Sequence, residues 1–94
     1  MSEGAVLLLV TAGTRDEAER LGEGLLEAGL GTRGSVVPVI HSFWLEAGDI
    51  KRGHEALLLV TTTAAHEAAA REFIRRNHSF DEPHVVALSA GATA

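Results

Sequence analysis

Ser35-Val36-Val37-Pro38-Val39-Ile40-His41-Ser42-Phe43-Trp44-Leu45-Glu46, and beyond it Glu55-Ala56-Leu57-Leu58-Leu59-Val60-Thr61-Thr62, decide the fold. The first run is rich in β-branched and aromatic residues and reads as a long strand over 35–46. Pro38 gives no ladder donor, so it marks this strand as an edge or a bulge. Ala47-Gly48-Asp49 begins a turn. The second run, 55–62, reads as the returning strand. Together they predict a hairpin longer than the strands around it.

The rest of the chain arranges itself about this hairpin. Ala5-Val6-Leu7-Leu8-Leu9-Val10-Thr11 is continuously apolar, as expected of a strand buried on both faces. Thr14-Arg15-Asp16-Glu17 matches a capping box, with Thr14 taking one orphan N–H and Glu17 reaching back. Ala18, Leu21, Leu25 and Ala28 then recur at helical spacing. Gly22 and Gly24 weaken that helix by about 1 kcal/mol each, so close packing is expected there. Gly29 and Leu30 read as a Schellman stop. A second helix is predicted over 64–77, with Thr63 as N-cap and Ala65, Ala69, Ala70, Phe73 and Ile74 inward. Residues 85–88 read as a short last strand, and 89–94 as a frayed end.

The predicted order is β-α-β-β-α-β, an α+β ferredoxin-like sandwich. Right-handed crossovers place both helices on one face of an antiparallel sheet. The overhanging hairpin would expose unpaired backbone, which a neighbouring copy would cover. One domain is expected over 1–94, with its core at about 5–88.

Composition bounds the function. The chain is 46% hydrophobic and 22% charged, a globular mixture. It contains no cysteine, which excludes disulfides and thiolate metal sites. The formal net charge of −5 argues against a nucleic-acid partner. The apolar run 5–10 is too short to cross a bilayer, and Glu3 is unlike a basic leader. No membrane partner is expected, and the cytoplasm is the simplest location. There is no nucleophile elbow, and Gly13-Thr14-Arg15 lacks the spacing and lysine of a phosphate loop.

The junction His78-Ser79-Phe80-Asp81-Glu82-Pro83-His84 packs imidazole, aromatic ring and turn-fixing proline between a helix and a strand. His78 reads either as a helix-end residue bonding carbonyls or as a ligand group. His54-Glu55 and His66-Glu67 are metal pairs only on paper. Neighbours on a strand face opposite ways, and on a helix they lie about 100° apart.

Residues 36–44, Gly48-Asp49-Ile50, residues 55–62 and the 78–88 junction together resemble the CutA family of divalent-cation tolerance proteins. Leu8-Leu9-Val10-Thr11 and the helix ending in Gly29-Leu30 fit too. The resemblance implies a PII-like homotrimer in which long hairpins embrace neighbouring subunits and clefts form between them. It implies a role in metal-ion tolerance or response, with a metal ion or small molecule bound in those clefts. Arg33, Ser42, Trp44, Glu46, Glu55, His78 and Phe80 are the ligand-binding candidates. His41, His78 and His84 are the metal candidates, for copper or zinc. The alternative is a divergent enzyme using inter-subunit His and Glu residues for acid–base chemistry.

The departures from that family pattern are specific. Arg33 stands where the family usually has cysteine, Ser35 for asparagine, Trp44 for tyrosine, Glu46 for tryptophan, Thr61 for lysine and His84 for an acid. The sequence also stops near Ala94, where relatives continue into a further segment. With no cysteine in the sequence, thiolate copper binding is excluded. His41 and His84 lie on opposite sheet edges, so a meeting between them is expected only across a subunit interface.

Overall fold

The computed structural model describes residues 4–91. Its elements are β1 (Ala5–Ala12), α1 (Arg15–Glu27), β2 (Arg33–Glu46), β3 (Asp49–Thr63), α2 (Glu67–Asn77) and β4 (Val85–Gly91). They form one four-stranded antiparallel sheet in the order β2-β3-β1-β4. This is the β-α-β-β-α-β arrangement expected from the sequence.

The core lies between the sheet and the helices. Val6, Leu8, Val10 and Ala12 of β1 meet Ala56, Leu58 and Val60 of β3 beneath Ala18, Leu21 and Leu25 of α1 and Ala70 and Ile74 of α2. The two helical glycines are explained by packing. A Cβ at Gly22 would stand 2.9 Å from Leu58 Cδ1, and one at Gly24 would stand 2.6 Å from Phe73 Cζ.

The opposite face of β1 departs from expectation. Leu7 and Leu9 are only half-buried, because no described element covers that side of the sheet. Leu9 pairs with Leu59 and Val86, and Leu7 with Leu88, so the uncovered face is a continuous apolar surface. Val86 is 38% exposed and Leu88 50%.

Local signals set most boundaries. Thr14 Oγ1 accepts the Glu17 N–H at 3.1 Å. Gly29 has φ 75°, Leu30 N–H donates to the Leu25 carbonyl and Gly29 N–H to that of Leu26, which completes the Schellman motif.

Beyond shifts of one or two residues at other strand ends, three boundaries differ from the sequence reading. First, β3 begins at Asp49, six residues before Glu55. Ala47 and Gly48 both take positive φ, the signature of a two-residue type I′ turn, and this turn pairs Glu46 directly with Asp49. Lys51, Arg52 and Gly53 look like loop residues, yet cross-strand pairing with Trp44, Phe43 and Ser42 overrides their weak propensity. The ladder is interrupted between Val37 and Ile40, at Pro38, as a bulge.

Second, α2 begins at Glu67 rather than 64, and Thr63 is not its N-cap. Thr63 stays in the ladder opposite Ala5, and its hydroxyl lies 3.1 Å from His66 Nδ1. Ala65 and Ala69 are consequently exposed, leaving Ala70, Ile74 and half-buried Phe73 as the inner face. Third, β4 extends through Ser89 to Gly91, because β1 supplies partners beyond Leu88. The remainder of the predicted frayed end, 92–94, lies outside the described residues.

Candidate functional site

The last turns of the hairpin project past the sheet as an arm, and chemistry gathers where arm and sheet meet. Side chains alternate across a strand, so Ile40, Ser42 and Trp44 of β2 share a face with Gly53 and Glu55 of β3. Thr11 at the end of β1 and His84 before β4 complete that side. A concave pocket of about 340 Å³ is lined by Thr11, Ser42, Phe43, Trp44, Glu55 and His84. Trp44 lies over Gly53, where a Cβ would meet its ring at 3.3 Å. Its indole Nε1–H donates to Glu46 Oε1 at 3.4 Å. The pocket therefore offers a hydroxyl, a carboxylate, an imidazole and an aromatic wall, a small polar set on an apolar frame.

The His84 carbonyl accepts the Thr11 N–H at 3.4 Å, and a buried clasp holds the α2–β4 junction that precedes it. Glu17 is 7% exposed despite its charge. Its Oε2 accepts the Ser79 N–H at 2.6 Å, and its Oε1 accepts the Ser79 hydroxyl at 2.9 Å and the Gly13 N–H at 3.3 Å. The capping box is thus only half formed: Glu17 reaches Gly13 rather than Thr14, and its main partner is Ser79. Burial alone would raise the Glu17 carboxyl, but the Ser79 and Gly13 hydrogen bonds hold it below the ordinary 4.5.

His78 belongs to the same clasp. Its imidazole is fully buried, with Nδ1 3.6 Å from Glu17 Oε2. Nε2 lies 2.7 Å from the Thr11 carbonyl, and Phe80 N–H donates to Nδ1 at 3.0 Å. These partners fit the Nε2–H tautomer. The Phe80 ring packs on the imidazole at 4.7 Å. Both nitrogens of His78 are therefore occupied: Nε2 ties the end of β1 to the junction, and Nδ1 accepts from Phe80 within it.

The structure gathers Ser42, Trp44, Glu55 and His84 from the candidate residues. Glu46 contributes indirectly, through the Trp44 indole. Arg33 lies at the far end of β2, opposite Thr61, while Ser42 lies opposite Gly53. Phe80 and His78 stand at the junction behind the pocket, and His41 faces the other side of the arm, against His54. Among the described residues of one chain, no three His, Asp or Glu side chains converge on a metal position. Thr11 had no role in the sequence reading, Phe43 was read as interface packing, His54 was set aside as a metal pair only on paper, and Glu17 was read only as a helix cap. Glu17 had a signal, its capping-box position, whereas the others depend on strand register.

A further hollow of about 390 Å³ lies between α1 and β2, over Leu26, Val36 and Leu58. Its ionisable groups are Glu19 and Glu23 alone, with no convergent partner of another type.

Known proteins resemble this arrangement along nearly the whole chain. The family model described as CutA1 divalent ion tolerance protein matches residues 6–94. The divalent-cation tolerance protein CutA of Archaeoglobus fulgidus is 31% identical over 81 residues, covering 86% of this chain and 78% of that protein. The chloroplastic protein CutA 1 of Oryza sativa is 27% identical over 84 residues; they make up 89% of this chain but only 48% of that longer protein. The crystal structure of CutA1 from Oryza sativa superposes with a TM-score of 0.93 at 25% identity, covering 99% of this chain and 85% of that one. Among the described residues, no helix is long and apolar enough to cross a membrane. With its family match, its sheet order and its long hairpin, the chain belongs to the CutA1 divalent ion tolerance family.

Proposed function

We propose that this protein assembles as a homotrimer and binds a divalent metal ion or a small ligand in a cleft between subunits, as part of a response to metal ions. The observation that carries the reading is the pocket that unites Glu55, Ser42, Trp44 and His84 beside the uncovered sheet face. A neighbouring copy seated on Leu9, Leu59, Val86 and Leu88 would close the pocket and bury the apolar surface together. Within the pocket, Glu55 supplies charge, His84 a nitrogen donor, Ser42 a hydrogen bond and Trp44 a wall. No hydrogen bond occupies the His84 ring among the described residues, whereas a metal at His78 would displace the Thr11 or Phe80 contact. The cytoplasmic location is part of the same proposal; relatives are named chloroplastic and periplasmic.

Titration calorimetry on tag-free protein tests the site. Zinc or copper is expected to bind saturably, with Glu55→Gln and His84→Gln each weakening binding at least about tenfold. No saturable binding of either ion below about 10 µM would leave the metal form of this reading without support. Light scattering at micromolar concentration is expected to give a trimer, and Leu59→Glu to dissociate it; a stable monomer of the natural chain would refute the assembly.

A further inference from the structure

The arm carries another constellation on its other face. His41 of β2 and His54 of β3 are direct cross-strand partners. Their rings meet edge to face, with centroids 4.6 Å apart and planes at 89°. Both residues are exposed, and among the described residues neither ring makes a hydrogen bond or an ion pair. The other three of the five histidines differ. His66 is engaged by Thr63, His78 is consumed by the clasp, and His84 lines the Glu55 pocket.

We infer that His41 and His54 form a two-imidazole site for a first-row divalent ion, on the face of the arm opposite the Glu55 pocket. Two imidazoles sharing one ion at ~2.0–2.1 Å per nitrogen have ring centres about 4.5–5 Å apart. The rings already stand at that spacing, so side-chain rotation suffices and the strands need not move. A hollow of about 320 Å³, lined by both histidines with Ser42, Phe43, Arg52 and Gly53, leaves room for the ion and its remaining ligands. The continuous ladder and the two-residue turn fix the two backbones, so little order must be created on binding.

The donor set decides the ion. Imidazole nitrogens suit copper, nickel and zinc, and affinity rises toward copper(II). Calcium and magnesium want oxygen ligands, and this face offers no carboxylate. Water, or a matching arm in the assembly, would fill the remaining positions. Arg52 is the one charged group in the hollow, with its guanidinium 5.8 Å above the Phe43 ring. Its charge opposes a cation, so Arg52→Gln is expected to tighten binding.

Copper(II) chloride added to tag-free protein, followed by calorimetry and by electron paramagnetic resonance, tests the site. Two nitrogen ligands are expected in the spectrum. His41→Gln and His54→Gln are each expected to abolish the two-nitrogen signal and to weaken the copper binding it reports at least tenfold. Circular dichroism checks that each variant folds, and the wild-type spectrum serves even if one does not. A spectrum with fewer than two nitrogens overturns the site, as does unchanged affinity in either arm variant. Loss of binding only in His84→Gln or Glu55→Gln would place the ion in the other pocket and likewise overturn it. Failure of the arm site would leave the Glu55 pocket standing.

Discussion

Glu17 shows how one side chain can organise distant parts of the molecule. It joins the end of β1, the start of α1 and the α2–β4 junction through Gly13 and Ser79. Hydrogen bonds to a charged group are worth about 1.5–3 kcal/mol, and a buried donor left without its partner costs about 1–3 kcal/mol. Glu17→Ala is therefore expected to lower stability by roughly 2–4 kcal/mol in urea unfolding at neutral pH. The pH dependence follows from the depressed carboxyl. Its contribution is complete above the unfolded value near 4.5 and is lost as pH falls through the lower folded value. Glu17→Gln should accordingly flatten the acid limb of a stability–pH profile, and an unchanged limb would contradict the clasp. Thr14 and Glu17 were legible as a helix start because their spacing is local. The Ser79 partner was not, since it lies 62 residues away in sequence. The His41–His54 contact was hidden for a related reason: it requires the register of the hairpin, which a one-residue slip would reverse.

Among the elements, the hairpin was legible as a hairpin but not in its true length. The sequence shows where β-branched residues cluster, and Lys51-Arg52-Gly53-His54 breaks that pattern. What extends β3 to Asp49 is the geometry of the turn together with the partners already present on β2. The turn itself is not optimal. Ala47 sits at φ 51°, a conformation that disfavours a Cβ by about 1–2 kcal/mol. Asparagine tolerates this region and precedes glycine in the favoured type I′ pair. Ala47→Asn is expected to stabilise the protein by roughly 0.5–1 kcal/mol, read as a higher urea midpoint at unchanged slope. A similar competition explains α2. Thr63 was a reasonable N-cap by residue type, but the ladder with Ala5 claims it first. The Schellman stop of α1 suffered no such competition, which is why Gly29 and Leu30 read correctly.

At the scale of the molecule, the hairpin stretches the chain to 47 × 24 × 22 Å and leaves Phe43, Leu45 and Ile50 exposed near its end. The sequence foretold the layer order because alternating patterns fix it. It misjudged the second face of β1, since apolarity states that a strand wants cover, not which molecule provides it. The interruption at Pro38 bears on how that cover is limited. β2 is an edge strand, and a straight edge invites another strand, then another, without end. Proline withholds a donor, and the bulge beside it turns the strand aside, so an incoming chain meets a broken template. In the proposed assembly, growth by strand addition would thereby be steered toward a closed ring of few members instead of a fibre. Pro38→Val should remove that guard and leave the fold in place. The expected result is slow, seedable growth of thioflavin-positive filaments from a chain that otherwise stays in solution, and equal resistance in both proteins would show that the break does not restrain polymerisation.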